Sequence, residues 1–189
     1  MKKLIWLIDI SLDGFMSGLN GELDWLGVDV DDEFWNDVSD LLGTVDTALF
    51  GRLTYQNFEQ YWPNVTEKPG SPKHEVNFSR WIDETPKYVA SSTLSQPKWK
   101  NSTVLKSEVA NQVSKLKAGT GKGILIFGSC HLALQLLDAN LMDEMQLRIH
   151  PTVLGEGRSA FHAGLKSHRL KLIQSRQFQT GVIRLRYQL

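Results

Sequence analysis

Ile124-Leu125-Ile126-Phe127, followed at once by Gly128-Ser129 and a helix candidate over residues 131–137, is the stretch on which the fold turns. Four consecutive apolar residues closed by a turn signal read as a strand buried on both faces. A helix-like run directly after that turn makes the unit strand, turn, helix. The pattern repeats outward from there. Further strands are expected over 4–10, 48–50, 88–90, 145–149, 170–173 and 182–187, and further helices over 32–42, 54–61, 74–82 and 108–116. Ser107 is the expected N-cap of the fourth helix and Ala118-Gly119 its stop, with Val109, Val113 and Leu116 on one apolar face. Early alternation of strand and helix implies a parallel α/β sheet, whereas the last strands follow one another without a helix, so the sheet should be mixed and antiparallel at its end.

The bulk properties narrow the function classes. The chain has 189 residues, 41% hydrophobic and 22% charged, which suits one soluble domain over residues 1–189. Lys+Arg and Asp+Glu are both 21, so no net field favours nucleic acid or an anionic membrane, and any anionic ligand must be held by local groups. The single cysteine, Cys130, rules out an internal disulfide framework and fits the cytoplasm. The N-terminal apolar run is broken at Asp9 and Asp13, too early for a signal peptide or a membrane span.

Four turns lie where a strand gives way to a loop or helix, the edge at which open α/β sheets bind ligands. They are Asp13-Gly14, Gly51-Arg52-Leu53-Thr54, Ser91-Ser92-Thr93 and Gly128-Ser129. The second and fourth open helices, whose free N–H groups and positive dipole ends suit a phosphate. Each taken alone is also what an ordinary capping turn looks like.

Taken in order, the stretches from Ser11 to Gly18, Asn20 to Leu26, Phe50 to Tyr55, Lys87 to Leu94, Ile126 to Ser129 and Pro151 to Gly157 resemble the dihydrofolate reductase-like fold. Within it they are most similar to the bacterial family related to the reductase domain of riboflavin biosynthesis, the RibD C-terminal domain. The resemblance implies a three-layer α/β domain with a mixed, largely parallel sheet flanked by helices, and an NADPH-dependent reductase acting on a pterin- or pyrimidine-like molecule. By that resemblance Gly51, Arg52, Thr54, Ser91 and Ser92 surround the adenosine half of NADP. Gly128 and Ser129 lie against its pyrophosphate, with His131 two residues on; Ser129 stands where the family has a second glycine. The loop from Asp13 to Trp25 resembles the mobile loop over nicotinamide and substrate. Asp13 and Trp25, with Gly155 and Gly157 shaping the floor, are then the substrate-side residues.

Delivery of hydride to a C=N bond also needs a proton, and a carboxylic acid near the ring nitrogen is its usual source. By position after the tryptophan loop, Asp31 or Asp32 is the expected acid, although acids at a helix start also complement the dipole. Two other features lead away from chemistry. Gly119-Thr120-Gly121-Lys122-Gly123 precedes a strand, whereas a Walker loop follows one and opens a helix. Cys130-His131 lacks an orienting third group, and the five histidines show no metal-ligand spacing.

Three functions remain open: a general pterin or pyrimidine reductase, a riboflavin-pathway 5-amino-6-(5-phosphoribosylamino)uracil reductase, and a nucleotide-binding module without catalysis. The second needs a further cationic phosphate site, for which Lys68, Lys73, His74 and Arg80 qualify by charge. A homodimer is expected from the resemblance and from the consecutive late strands.

Overall fold

In the computed structural model, which describes residues 1–162 and 164–189, the run at Ile124 is the centre of an eight-stranded sheet. The strands are β1 (Leu4–Ile10), β2 (Phe15–Ser17), β3 (Val45–Gly51), β4 (Lys87–Ala90), β5 (Ser102–Leu105), β6 (Gly123–Phe127), β7 (Glu144–Ile149), β8 (Arg158–Ser159), β9 (Lys171–Gln177) and β10 (Ile183–Gln188). The helices are α1 (Asp32–Gly43), α2 (Arg52–Tyr61), α3 (Lys73–Glu84), α4 (Val109–Ala118) and α5 (Cys130–Asp138). The main sheet runs β5-β4-β3-β6-β1-β7-β10-β9; its first six strands are parallel, and the last two pair antiparallel. β2 and β8 form a separate ribbon.

Two apolar clusters lie on the two faces, as a three-layer fold requires. Leu4, Trp6, Ile8, Ile124 and Ile126 pack under α5, while Ile5, Leu7, Phe50, Leu125 and Phe127 pack under α1, α2 and α3. Period-two alternation along β1 and β6 thus divides one apolar run between two cores. Every residue of β6 is buried, which accounts for its unbroken apolar sequence.

Two expectations need correction. α4 is entered through Glu108 in a left-handed conformation (φ 47°) and not through Ser107, whose carbonyl instead accepts from Gln112 Nε2 at 2.5 Å. The stop at Gly119 is as expected. β5 was not anticipated, because Ser102-Thr103 hides a four-residue edge strand behind polar side chains.

On the α1 face, β1, β7, β10 and β9 carry a row of charge in register: Asp9 opposite Arg148, Arg148 opposite Arg184, Arg184 opposite Arg176. Three adjacent arginines would repel unless acids intervene. Asp9 takes Arg148, Asp37 of α1 takes both Arg184 and Arg176, and Glu33 takes Arg176 at 2.8 Å. α1 is therefore bound to the antiparallel end of the sheet by carboxylates, next to the apolar contacts of Phe34, Val38, Leu41 and Leu42.

Candidate active site

Parallel strands bring their C-terminal ends to one edge, and the anticipated turns fall along it in spatial order. Ala90 at the end of β4 is the register partner of Gly51 at the end of β3, and Phe127 of β6 is the partner of Leu7 of β1. From β4 through β3, β6 and β1 to β7 is four strand spacings, roughly 19 Å at about 4.8 Å each. That length suits an extended dinucleotide better than a lone phosphate.

At the centre of the edge, α2 and α5 begin side by side. The Gly51 amide donates to Ser129 Oγ at 2.9 Å, and neither helix has a side chain capping its first turn. The leading N–H groups of two helices, each at the positive end of a dipole, converge there. Gly128 and Ser129 both take left-handed φ values (50° and 49°), with Gly128 beside Thr54: a Cβ added to Gly128 would lie 3.9 Å from Thr54 Oγ1. Trp6, fully buried in β1, donates from Nε1 to the Gly128 carbonyl at 2.6 Å and so ties this turn to the core. Ser129 adopts the same left-handed conformation as Gly128 and adds a hydroxyl.

The other residues expected on the cofactor side lie on the same edge. Arg52 and His131 are exposed at the first turns of α2 and α5, Arg52 Nη1 donating to Gln56 at 2.9 Å. Ser91 Oγ accepts from the amides of Thr93 and Leu94 and shapes its own turn, leaving Ser92 exposed.

Among the residues expected on the substrate side, Asp13 binds two loops together. Its carboxylate accepts from Ser11 Oγ at 2.6 Å, the Gly155 amide at 2.7 Å and the Leu154 amide at 3.2 Å, and the Ser11 hydroxyl does most to hold its pKa below the usual range. Gly157 has no room for a side chain: a Cβ would lie 2.3 Å from the Ser17 carbonyl across the β2–β8 ribbon. Trp25 is buried, edge-on to His150 with ring centroids 5.3 Å apart, and its Nε1 has no partner among the described residues.

Asp31 and Asp32 are placed differently from each other. Asp31 is the N-cap of α1, accepting from the Phe34 amide at 2.8 Å. The Asp32 side chain is 97% exposed and faces His74 Nδ1 at 3.8 Å. His74 stacks on Trp35 with centroids 4.7 Å apart, so of the four candidates for a second phosphate site it is already engaged by a ring and an acid.

The partly buried acid in β1 at this end of the sheet is one that sequence reasoning passed over. Asp9 Oδ1 lies 3.0 Å from His150 Nε2, and its carboxylate also contacts Arg148. Burial pushes the Asp9 pKa up, but Arg148 and His150 together outweigh it and hold the group below its ordinary value. His150 is fully buried, and its Nδ1 has no partner among the described residues. The available signal was an aspartate inside an apolar strand, which demands a buried partner.

A profile of the RibD C-terminal domain matches residues 2–184. The chain belongs to the RibD C-terminal domain family. The uncharacterized protein YyaP of Bacillus subtilis (strain 168) is 34% identical over 187 residues, covering 98% of this chain and 94% of YyaP. A Shewanella sp. PV-4 protein named for riboflavin biosynthesis shares the fold at a TM-score of 0.72 and 23% identity, with 98% of each chain covered. RibD of Acinetobacter baumannii gives a TM-score of 0.69 at 20% identity, over all of this chain and 58% of that one. The expected fold class is thereby established.

Burial pushes the Cys130 thiol up to about 12, the state of an inert side chain and not of a nucleophile. Among the described residues no three His, Cys, Asp or Glu side chains converge as metal ligands, and no helix is long and apolar enough to cross a membrane.

Proposed function

We propose that this RibD C-terminal domain protein is an NADPH-dependent reductase that transfers hydride to a C=N or C=C bond of a pterin- or pyrimidine-like small molecule. The observation that carries this reading is the meeting of two uncapped helix N-termini, through Gly51 and Ser129, at the middle of the strand-end edge. The donor set fits a dinucleotide: main-chain N–H groups for a pyrophosphate, with Arg52, Thr54, Ser91 and Ser92 for the adenosine half. The chemistry supplied by NADPH when bound is the hydride. The names of the structural relatives, RibD among them, point the same way.

The chain's own residues position, seal and handle a proton. Asp13 joins the covering loop to the 151–157 loop, and Trp25 lies over the Asp9–His150 pair. With Nε2 engaged at Asp9, the unpartnered Nδ1 of the fully buried His150 is, among the described residues, the polar atom that this pair leaves beside Trp25. Asp31, the N-cap of α1, and the exposed Asp32 are the acids proposed from the resemblance. The partners we propose are a small-molecule substrate and a second copy of the chain, with no nucleic acid or membrane. The dimer is supported by Leu172, Ile173 and Ile183, which are 50%, 44% and 41% exposed on the last two strands.

The test is NADPH consumption with dihydrofolate and, separately, with a ribosylated aminopyrimidinone phosphate. Turnover of either confirms a reductase and selects the substrate class. NADPH binding without turnover of either supports the nucleotide-binding module.

A further inference from the structure

The opposite end of the sheet holds a second, larger feature that the reading above leaves unused. Between α1 and the starts of β1, β6 and β7 lies a cavity of about 510 Å³, well within the size range of small-molecule sites. Two buried polar groups on its wall are incompletely paired. Arg184, 7% exposed, donates from its two terminal nitrogens to Asp37 and Gln174, but its Nε has no partner among the described residues. Gln146, 3% exposed, donates to Glu144 at 2.8 Å, and its Oε1 has none. Both atoms lie just beneath the wall with almost no accessible surface, and one water would need only a small fraction of the volume beside them.

The rim adds charge. Lys3 and Lys122 line the cavity, exposed and, among the described residues, in no ion pair such as Asp46 makes with Lys2. Lys122 belongs to the Gly121-Lys122-Gly123 turn, which sequence reasoning set aside as a Walker loop and which here forms one edge of this wall. The remaining arginines are neutralised, Arg186 by Glu144 and Arg176 by Asp37 and Glu33, which leaves Asp40 as the acid opposing the two lysines.

We propose that this cavity binds a small phosphorylated molecule bearing hydroxyls, at a site separate from the cofactor edge. Phosphate oxygens accept from Lys3 and Lys122 and, on a small turn of the side chains that close over it, from Arg184 Nε, while a hydroxyl donates to Glu144 or, by the same movement, to Gln146 Oε1. A bare anion without an O–H leaves Gln146 Oε1 unpaired, so the site discriminates against sulfate. The proposal does not depend on the reductase assignment.

Glycerol 3-phosphate is the probe, titrated into the ¹⁵N-labelled protein at fixed ionic strength, with sulfate for comparison. The expected result is saturable shifts of the Gly121, Lys122 and Gly123 amides and of Arg184 Nε–H, with sulfate weaker. Loss of two charge-assisted contacts in the exposed pair Lys3→Ala/Lys122→Ala should weaken binding at least about tenfold, and Asp40→Asn should tighten it. Shifts confined to residues 51–54 and 128–131, equal binding of sulfate, or an unchanged affinity in the double variant would overturn the proposal.

Discussion

Asp9 shows how much a single residue sets in this fold. A carboxylate within a buried strand is tolerated only when charged and hydrogen-bonded partners surround it, and Arg148 and His150 on the neighbouring strand do so. Removing that charge with Asp9→Asn leaves a buried guanidinium without its acid, and we expect a loss of about 3–5 kcal/mol in denaturant unfolding. The pH dependence follows from the lowered pKa of Asp9. Because the folded value lies below the unfolded one, near 3.9, its contribution is complete above that range and is lost as pH falls through the lower folded value. Stability of the wild type should therefore fall more steeply below about pH 4 than that of Asp9→Asn. Parallel curves for the two proteins would mean that Asp9 is not held ionised by its neighbours.

At the scale of elements, α1 and the β2–β8 ribbon make opposite demands. α1 is held to β9 and β10 by Asp37, so Asp37→Ala, which strands two arginines, should cost about 3–5 kcal/mol, whereas Asp40→Ala on its exposed face should stay within about 0.5 kcal/mol. Comparable losses for both would contradict the pairing. The ribbon depends on the missing side chain at Gly157. In Gly157→Ala the added carbon meets the Ser17 carbonyl, and amide exchange over 14–18 and 158–160 should speed up at least about tenfold while β6 keeps its protection. Elements of this kind differ in how far the sequence reveals them. β1 and β6 were legible because both faces are buried and every position is apolar. The second half of β9 was not, since Gln174 and Arg176 serve the charged face and its other side is exposed, leaving no apolar alternation to read. The strand-end turns proposed for the cofactor were legible from Gly and Ser, and register across β4, β3 and β6 brings them onto one edge. The Asp9–His150 pair escaped notice because its members are 141 positions apart and each looks ordinary alone.

For the whole molecule, the proposed function divides one sheet into a cofactor half on β4, β3 and β6 and a substrate half on β1 and β7, with β10 and β9 left for association. Light scattering should give twice 21.4 kDa across a wide concentration range, and Ile173→Lys with Ile183→Lys should shift it to the monomer; a monomeric wild type would contradict this use of the last strands. The central claim is that NADPH is held at the paired starts of α2 and α5. The measurement that tests it most directly is titration of NADPH and NADH against the wild type and Arg52→Ala, with melting curves to confirm folding. If Arg52 forks onto the phosphate that distinguishes the two nucleotides, its loss should weaken NADPH by about 10- to 100-fold and leave NADH nearly unchanged. Equal losses for both nucleotides, or no NADPH binding to the wild type, would contradict the account.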